Sequence, residues 1–192
     1  MKDGVIMNNV LIRKVNPNDA YGVEYVSAHS WKETYSGLIS DEYLDNRVKK
    51  IDNKDEERIN KTRTFLETAK NYYVAECDNK IVGLLSVREA IEEYPEYGHL
   101  GAIYVLKDYQ GYGIGKELFK KGIEDLIEMG YSKMQLECMK GNNTINFYKK
   151  YEGHIVNTID YPIKDEMVKA DIVLFEDINK ILELLNNNPK SL

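Results

Sequence analysis

Cysteine is scarce in this chain, and its scarcity excludes two classes of protein. Only two of the 192 residues are cysteine, Cys77 and Cys138, far apart in apolar, strand-like runs. That spacing makes neither a disulfide framework nor a zinc site, so both thiols read as buried and no bound metal is expected. Long apolar runs are missing too. No stretch approaches the roughly 18 residues of a membrane span, and the opening MKDGVIMNNV has no apolar signal core. No membrane partner and a cytoplasmic location are expected. Positive charge is the third shortage: 26 Lys and Arg stand against 32 Asp and Glu, a formal net charge of −6. A nucleic-acid partner asks for a basic face, so none is expected.

What the chain does have is ample apolar residue for a core, 43%, over a length that suits one domain with an appendage. Val10–Val15 alternates like a strand. NPNDA then turns into a helix from about Asp19 to Thr34. A short helix capped by Ser40 follows. Asp52–Ala69, highly charged with Ile59, Phe65 and Leu66 apolar, reads as a mostly solvated helix. Tyr72–Cys77 and Ile81–Val87 read as a hairpin around DNK, and His99–Val105 as the next strand. Gly113–Met129 is helical, with Ile114, Leu118, Ile123, Leu126 and Ile127 on one side and Gly130 as its stop. Lys133–Cys138 is a strand, Asn143–Tyr151 a short helix, and HIVNTI and VKADIVLFE are two last strands. The class is α/β, or mixed α+β, built on one mixed sheet.

The stretch Ala102–Phe119, AIYVLKDYQGYGIGKELF, sets Gly111, Gly113 and Gly115 at every second position between a strand and a helix. Backbone there turns sharply or meets something closely. A Walker loop fails, because its first glycine would be Gln110 and its hydroxyl residue Glu117. A dinucleotide fingerprint fails, because its third glycine would be Lys116 or Leu118. What fits is Q-x-x-G-x-G, met by Gln110, Gly113 and Gly115. Amides at a helix start, reinforced by the helix dipole, form an anion site that glycines open to a pyrophosphate.

IYVLKDYQGYGIGKELF resembles the acetyl-coenzyme A (acetyl-CoA) binding motif of the GNAT superfamily of N-acetyltransferases. LECMKGNNTINFYKKYEGH (Leu136–His154) is similar to that family's next strand and helix, and YYVAECDNKIVGLLSV to the hairpin before the motif. AHSWKETYSGLISDEYL (Ala28–Leu44) is similar to its first helices. The resemblance runs from about Val10 to Phe175. It implies one mixed, largely antiparallel sheet of about seven strands, with a central parallel pair splayed apart and helices on both sides. It also implies transfer of acetyl from acetyl-CoA to a primary amine of a small molecule or peptide by direct attack. A catalytically idle acyl-CoA-binding regulator would carry the same motif.

Residue by residue, the resemblance implies that Ile103, Tyr104 and Val105 pair with the pantetheine arm. Gln110, Gly111, Gly113, Ile114, Gly115 and Lys116 would hold the pyrophosphate. Tyr148 would be the proton donor to the departing thiolate, and Asn142 or Asn143 would reach the cofactor. His99 sits where many members carry the general base, with Glu93, Glu96 or a water chain as substitutes. Trp31 and Tyr35 would wall the acceptor pocket together with the loop DYPIKDEM, and Glu33 and Asp41 could attract a cationic amine.

The end of the chain falls outside the resemblance, which divides the sequence into an acetyltransferase domain, 1–176, and a tail, 177–192. In the tail, Ile178, Ile181, Leu182 and Leu185 follow helical spacing. An amphipathic helix over Asp177–Asn186 is expected, capped by Asp177 and ended by the asparagines and Pro189. So short a helix needs cover, from its own domain or from a second subunit of a homodimer.

Overall fold

A computed structural model describes residues 10–187; the opening MKDGVIMNN and the polar end from Asn188 lie outside the described residues. The chain begins with strand β1 (Val10–Lys14). Asn16 then closes a capping box with Asp19 around Pro17 and starts helix α1 (Ala20–Tyr35). Ser40 caps α2 (Asp41–Asp52) by accepting the Tyr43 amide at 3.3 Å. The single charged helix expected from Asp52 to Ala69 starts later, as α3 (Glu56–Thr68). Between the two, Lys54 takes a left-handed φ of 54°, and Asp55 caps the new helix through the Arg58 amide at 3.1 Å.

The remaining order is β2 (Tyr72–Cys77), β3 (Lys80–Arg88), β4 (Tyr97–Val105), α4 (Ile114–Glu128), β5 (Lys133–Met139), α5 (Ile145–Lys150), β6 (His154–Ile163), β7 (Glu166–Phe175) and α6 (Ile178–Asn187). The strands form one seven-stranded sheet in the order β1-β2-β3-β4-β5-β7-β6. Every neighbouring pair is antiparallel except β4 and β5. The last two strands are longer than expected. They pair from His154↔Leu174 to Ile163↔Glu166, so most of DYPIKDEM is strand rather than loop. Only Lys164 and Asp165 make the turn, with Lys164 at a positive φ.

Each face of the sheet has its own cover. On one side Leu118, Phe119, Ile123 and Leu126 of α4 pack on Leu85, Leu100, Leu136 and Phe175. On the other, Val23 and Val26 of α1 and Ile59 and Leu66 of α3 pack on Val74 and Leu84. A third, smaller cluster joins Tyr35, Ile39 and Leu44 to Met139 and Ile163, beside the far ends of β4 and β5. β4 switches faces midway. Val87 lies opposite Leu100 but Ser86 opposite Ala102, so Gly101 is an extra residue. Leu100, Ile103 and Val105 therefore meet α4, whereas Ala102 and Tyr104 meet the α1 side. Among the described residues no helix is long and apolar enough to cross a membrane.

The tail helix α6 takes its cap as the sequence suggests: the Lys180 amide donates to the Asp177 carboxylate at 3.0 Å. Ile178, Ile181 and Leu185 are buried in the same core as α4, so the apolar stripe is covered within the chain. Ile181→Ala should cost about 2–5 kcal/mol in urea unfolding, the usual range for emptying such a site. The molecular mass by light scattering should stay unchanged. A negligible loss accompanied by a fall in mass would mean that the helix serves another subunit instead.

Candidate functional site

β4 and β5 part company. Their parallel ladder has three register pairs, Tyr97↔Lys133, Gly98↔Met134 and His99↔Gln135, and then stops. Beyond that rung β4 continues to Val105 and β5 to Met139, each paired only on its outer side, to β3 and β7. The inner edges of both strands face a wedge lined by main-chain donors and acceptors.

The wedge ends at the glycine turn. Gln110 folds back, its side-chain amide donating to the Val105 carbonyl at 2.9 Å. Gly111 and Gly113 have φ of 87° and 83°, a left-handed turn that a residue with a Cβ enters only with strain. Gly113 is the N-cap of α4 and has no side chain to cap the helix, so the first-turn amides point outward. Gly115 is different. It lies in regular helix, and a Cβ there would meet only Val105 Cγ2, at an ordinary 3.9 Å. Nothing within the protein requires glycine at that position, whereas an anion seated on the helix start would. Lys116 follows in the same turn.

Five ring and thiol groups converge at the fork. Tyr148, on α5, is buried among Phe119, Phe147 and Phe175. Burial raises its phenol well above the ordinary value, and the neighbouring Cys138 and Tyr104 push the same way. Tyr104 packs on the cluster that joins Tyr35 and Trp31, and those two rings meet edge-on at 5.2 Å. Trp31 and Tyr35 thus lie on the α1 side of β4. Burial pushes the Cys138 thiol up to about 11.

His99 is 3% exposed, at the last rung of the ladder. Its Nε2 lies 2.8 Å from Glu137 Oε2, while Nδ1 is buried without a hydrogen-bond partner among the described residues. Gln135, fully buried across the rung, has both amide atoms likewise unmatched. Burial alone would raise Glu137; the His99 hydrogen bond, with the charges of His99 and Arg88, outweighs it and holds the carboxyl below its ordinary value. Glu137 carries no motif signal in the sequence and becomes visible only through the parallel register. Glu93 and Glu96 are exposed, and Glu96 lies 3.5 Å from Lys133.

The remaining candidates are distributed unevenly. The Asn142 carbonyl accepts the Thr144 amide at 2.9 Å, shaping the turn before α5, whereas Asn143 is exposed. Glu33 and Asp41 are not open anions: Lys107 pairs with Glu33 at 2.8 Å, and Lys32 with Asp41 at 3.0 Å. A groove of about 790 Å³ lies elsewhere, between α1 and the β2–β3 turn, lined by Tyr21, Tyr25, Lys80 and Tyr109. It excludes the glycine turn, and its Arg13 is already matched by Asp19 and Glu76.

The model of the acetyltransferase (GNAT) family matches residues 30–153. The uncharacterized N-acetyltransferase YuaI of Bacillus subtilis (strain 168) is 28% identical over 179 residues, covering 92% of this chain and 99% of that protein. Among solved structures, the PaiA N-acetyltransferase of Thermoplasma acidophilum, in complex with coenzyme A, shares the fold. It has a TM-score of 0.65 and 21% identity over 88% of this chain and 99% of that one. YncA of Salmonella typhimurium, solved with its cofactor acetyl-CoA, superposes with a TM-score of 0.62 and 16% identity over 88% of this chain and 94% of that one.

A carboxyl held below its ordinary value stabilises the fold above that value, and the benefit is lost as pH falls through the lowered one. Glu137→Gln should therefore be less stable than wild type by about 1–3 kcal/mol at pH 7. The gap should be narrower at pH 3 than at pH 7, because the benefit is lost only as the carboxyl takes up its proton. Urea unfolding at the two pH values checks it; a gap that is the same at both would show that the charge on Glu137 contributes nothing.

Proposed function

Because the chain belongs to the acetyltransferase (GNAT) family and is an N-acetyltransferase, we propose that it moves acetyl from acetyl-CoA directly onto a primary amine. The acceptor is a small molecule or a peptide, held with the cofactor in one ternary complex. The parting of β4 and β5 beside the glycine turn carries this reading. The inner edge of β4 at Ile103, Tyr104 and Val105 fits a pantetheine arm, which would pair there as an added strand does. Gln110 braces the turn, and the amides of Gly111, Gly113, Ile114, Gly115 and Lys116 hold the pyrophosphate. Asn143 is the asparagine left to reach the cofactor, since the side-chain carbonyl of Asn142 is committed to the Thr144 amide.

When bound, acetyl-CoA supplies a thioester carbon open to attack by an amine. His99 takes the proton of that amine. Glu137 holds Nε2–H, which makes Nδ1 the acceptor nitrogen of the neutral ring. Tyr148, its phenol kept protonated by burial, donates to the sulfur as charge develops there. Trp31 and Tyr35 wall the acceptor side. Direct attack is supported by Cys138: a thiol pushed up to about 11 stays protonated at neutral pH and makes a poor acyl relay. Two buried cysteines kept as thiols also fit work in a reducing cytoplasm.

Gly115→Asp tests the cofactor site, because the position has room for a side chain and no positive φ. Acetyl-CoA should raise the melting temperature of the wild type and leave that of the variant unmoved. An equal shift in both would put the cofactor elsewhere. Tyr148→Phe keeps the ring and removes only the donor. It should lower kcat about 10²-fold, the size of one general acid, with acetyl-CoA affinity unchanged. A kcat equal to wild type would reduce Tyr148 to a packed ring.

A further inference from the structure

Arg47, on α2, has no ion pair with a carboxylate among the described residues. Its guanidinium carbon lies 4.2 Å from the centre of the Trp31 ring and 5.9 Å from that of Tyr43. One N–H, on Nη2, donates to Ser27 Oγ at 3.0 Å. The Nε atom is buried and has no acceptor among the described residues. The acids nearby on α2 are spoken for: Lys32 binds Asp41 at 3.0 Å and Asp45 at 2.9 Å. Two other arginines are paired with acids. Arg13 bonds Asp19 and Glu76, and Arg58 bonds Glu24 at 2.6 Å.

Stacking on Trp31 explains why a cation is tolerated there. It does not explain the unmatched Nε–H, because a guanidinium presents a planar fork of N–H groups suited to a carboxylate. A buried N–H with no acceptor is a cost that packed folds ordinarily avoid. The location gives the missing acceptor a source. Trp31 packs in one cluster with Tyr104, on the parted stretch of β4, and the charge of Arg47 is felt at the Tyr104 hydroxyl.

We propose that Arg47 binds a carboxylate of the acceptor, so that the substrate class is an amine that also carries a carboxylate, such as a free amino acid. The proposal rests on the acetyl-transfer reading above and narrows it. The amine end reaches the wedge near His99 and the carboxylate end lies against Arg47 over Trp31. Glu33 and Asp41, which could attract a cationic amine, are each paired with a lysine instead.

The test measures thiol release from acetyl-CoA by the full-length enzyme with L-amino acids, with their C-terminal amides, and with putrescine and spermidine. Acids should exceed their own amides in kcat/KM by about 10²-fold, since a site built to hydrogen-bond a group rejects the analogue that lacks it. Arg47→Gln should erase that preference by raising KM for the acids while leaving the amides within about twofold. Arg47→Lys, a cation without the fork, should restore it only in part. Preference for amides or polyamines, no turnover of any acid, or an equal loss for acids and amides in Arg47→Gln would each overturn the proposal. In any of those cases, stabilisation by acetyl-CoA with turnover of some amine would leave the acetyltransferase reading standing. No stabilisation and no turnover would remove both.

Discussion

The ladder between β4 and β5 ends at His99↔Gln135, and the rest of the site follows from that break. Buried or half-buried main-chain groups need partners, and two strands that separate inside a sheet leave a row of them on each side of a wedge. The break is stable because each strand keeps its outer neighbour, β3 for β4 and β7 for β5. The extra residue at Gly101 adds to the effect. It turns Tyr104 toward Trp31 and Tyr35 while Ile103 and Val105 stay on the α4 core, so the parted stretch of β4 contributes side chains to both faces. The glycine turn then directs the start of α4 at the open end of the wedge, where the helix dipole and outward amides favour an anion.

The charges around the wedge are arranged rather than scattered. A net charge of −6 suggests an acidic surface, yet most carboxylates near the acceptor side are tied to lysines. Buried polar atoms without partners also lie here, in His99 and Gln135 on the sheet and in Arg47 on α2. Burial pushes each of the reactive groups toward its protonated form. It keeps the Tyr148 phenol and the Cys138 thiol protonated. The carboxylate of Glu137, by contrast, stays charged against burial through its hydrogen bond to His99.

Much of this was legible in the sequence because it depends on local rules. The glycine turn, the caps at Ser40 and Asp177, the hairpin of β2 and β3 and the apolar stripe of α6 rest on neighbours a few residues apart. The strand order around the parallel pair came from the resemblance, not from periodicity. What stayed hidden depends on long-range register. Glu137 meets His99 only because Lys133 pairs with Tyr97, an alignment no local pattern encodes. Arg47 is one of several cations on a charged helix, and its special position appears only when α2 lays it over Trp31. Only the end of the β6–β7 hairpin, DYPIKDEM, is a loop by sequence; Pro162 and the charges of Lys164 to Glu166 suit a turn, and the pairing Pro162↔Met167 on the outer strand overrides them.

Amide hydrogen exchange with and without acetyl-CoA is the most direct check on the wedge as the cofactor's seat. Added acetyl-CoA should slow exchange in two peptides, one spanning Ile103–Val105 and the other Gly111–Lys116, with little change at Tyr21, Tyr25 and Lys80. Protection confined to the groove between α1 and the β2–β3 turn, or no protection anywhere, would contradict it.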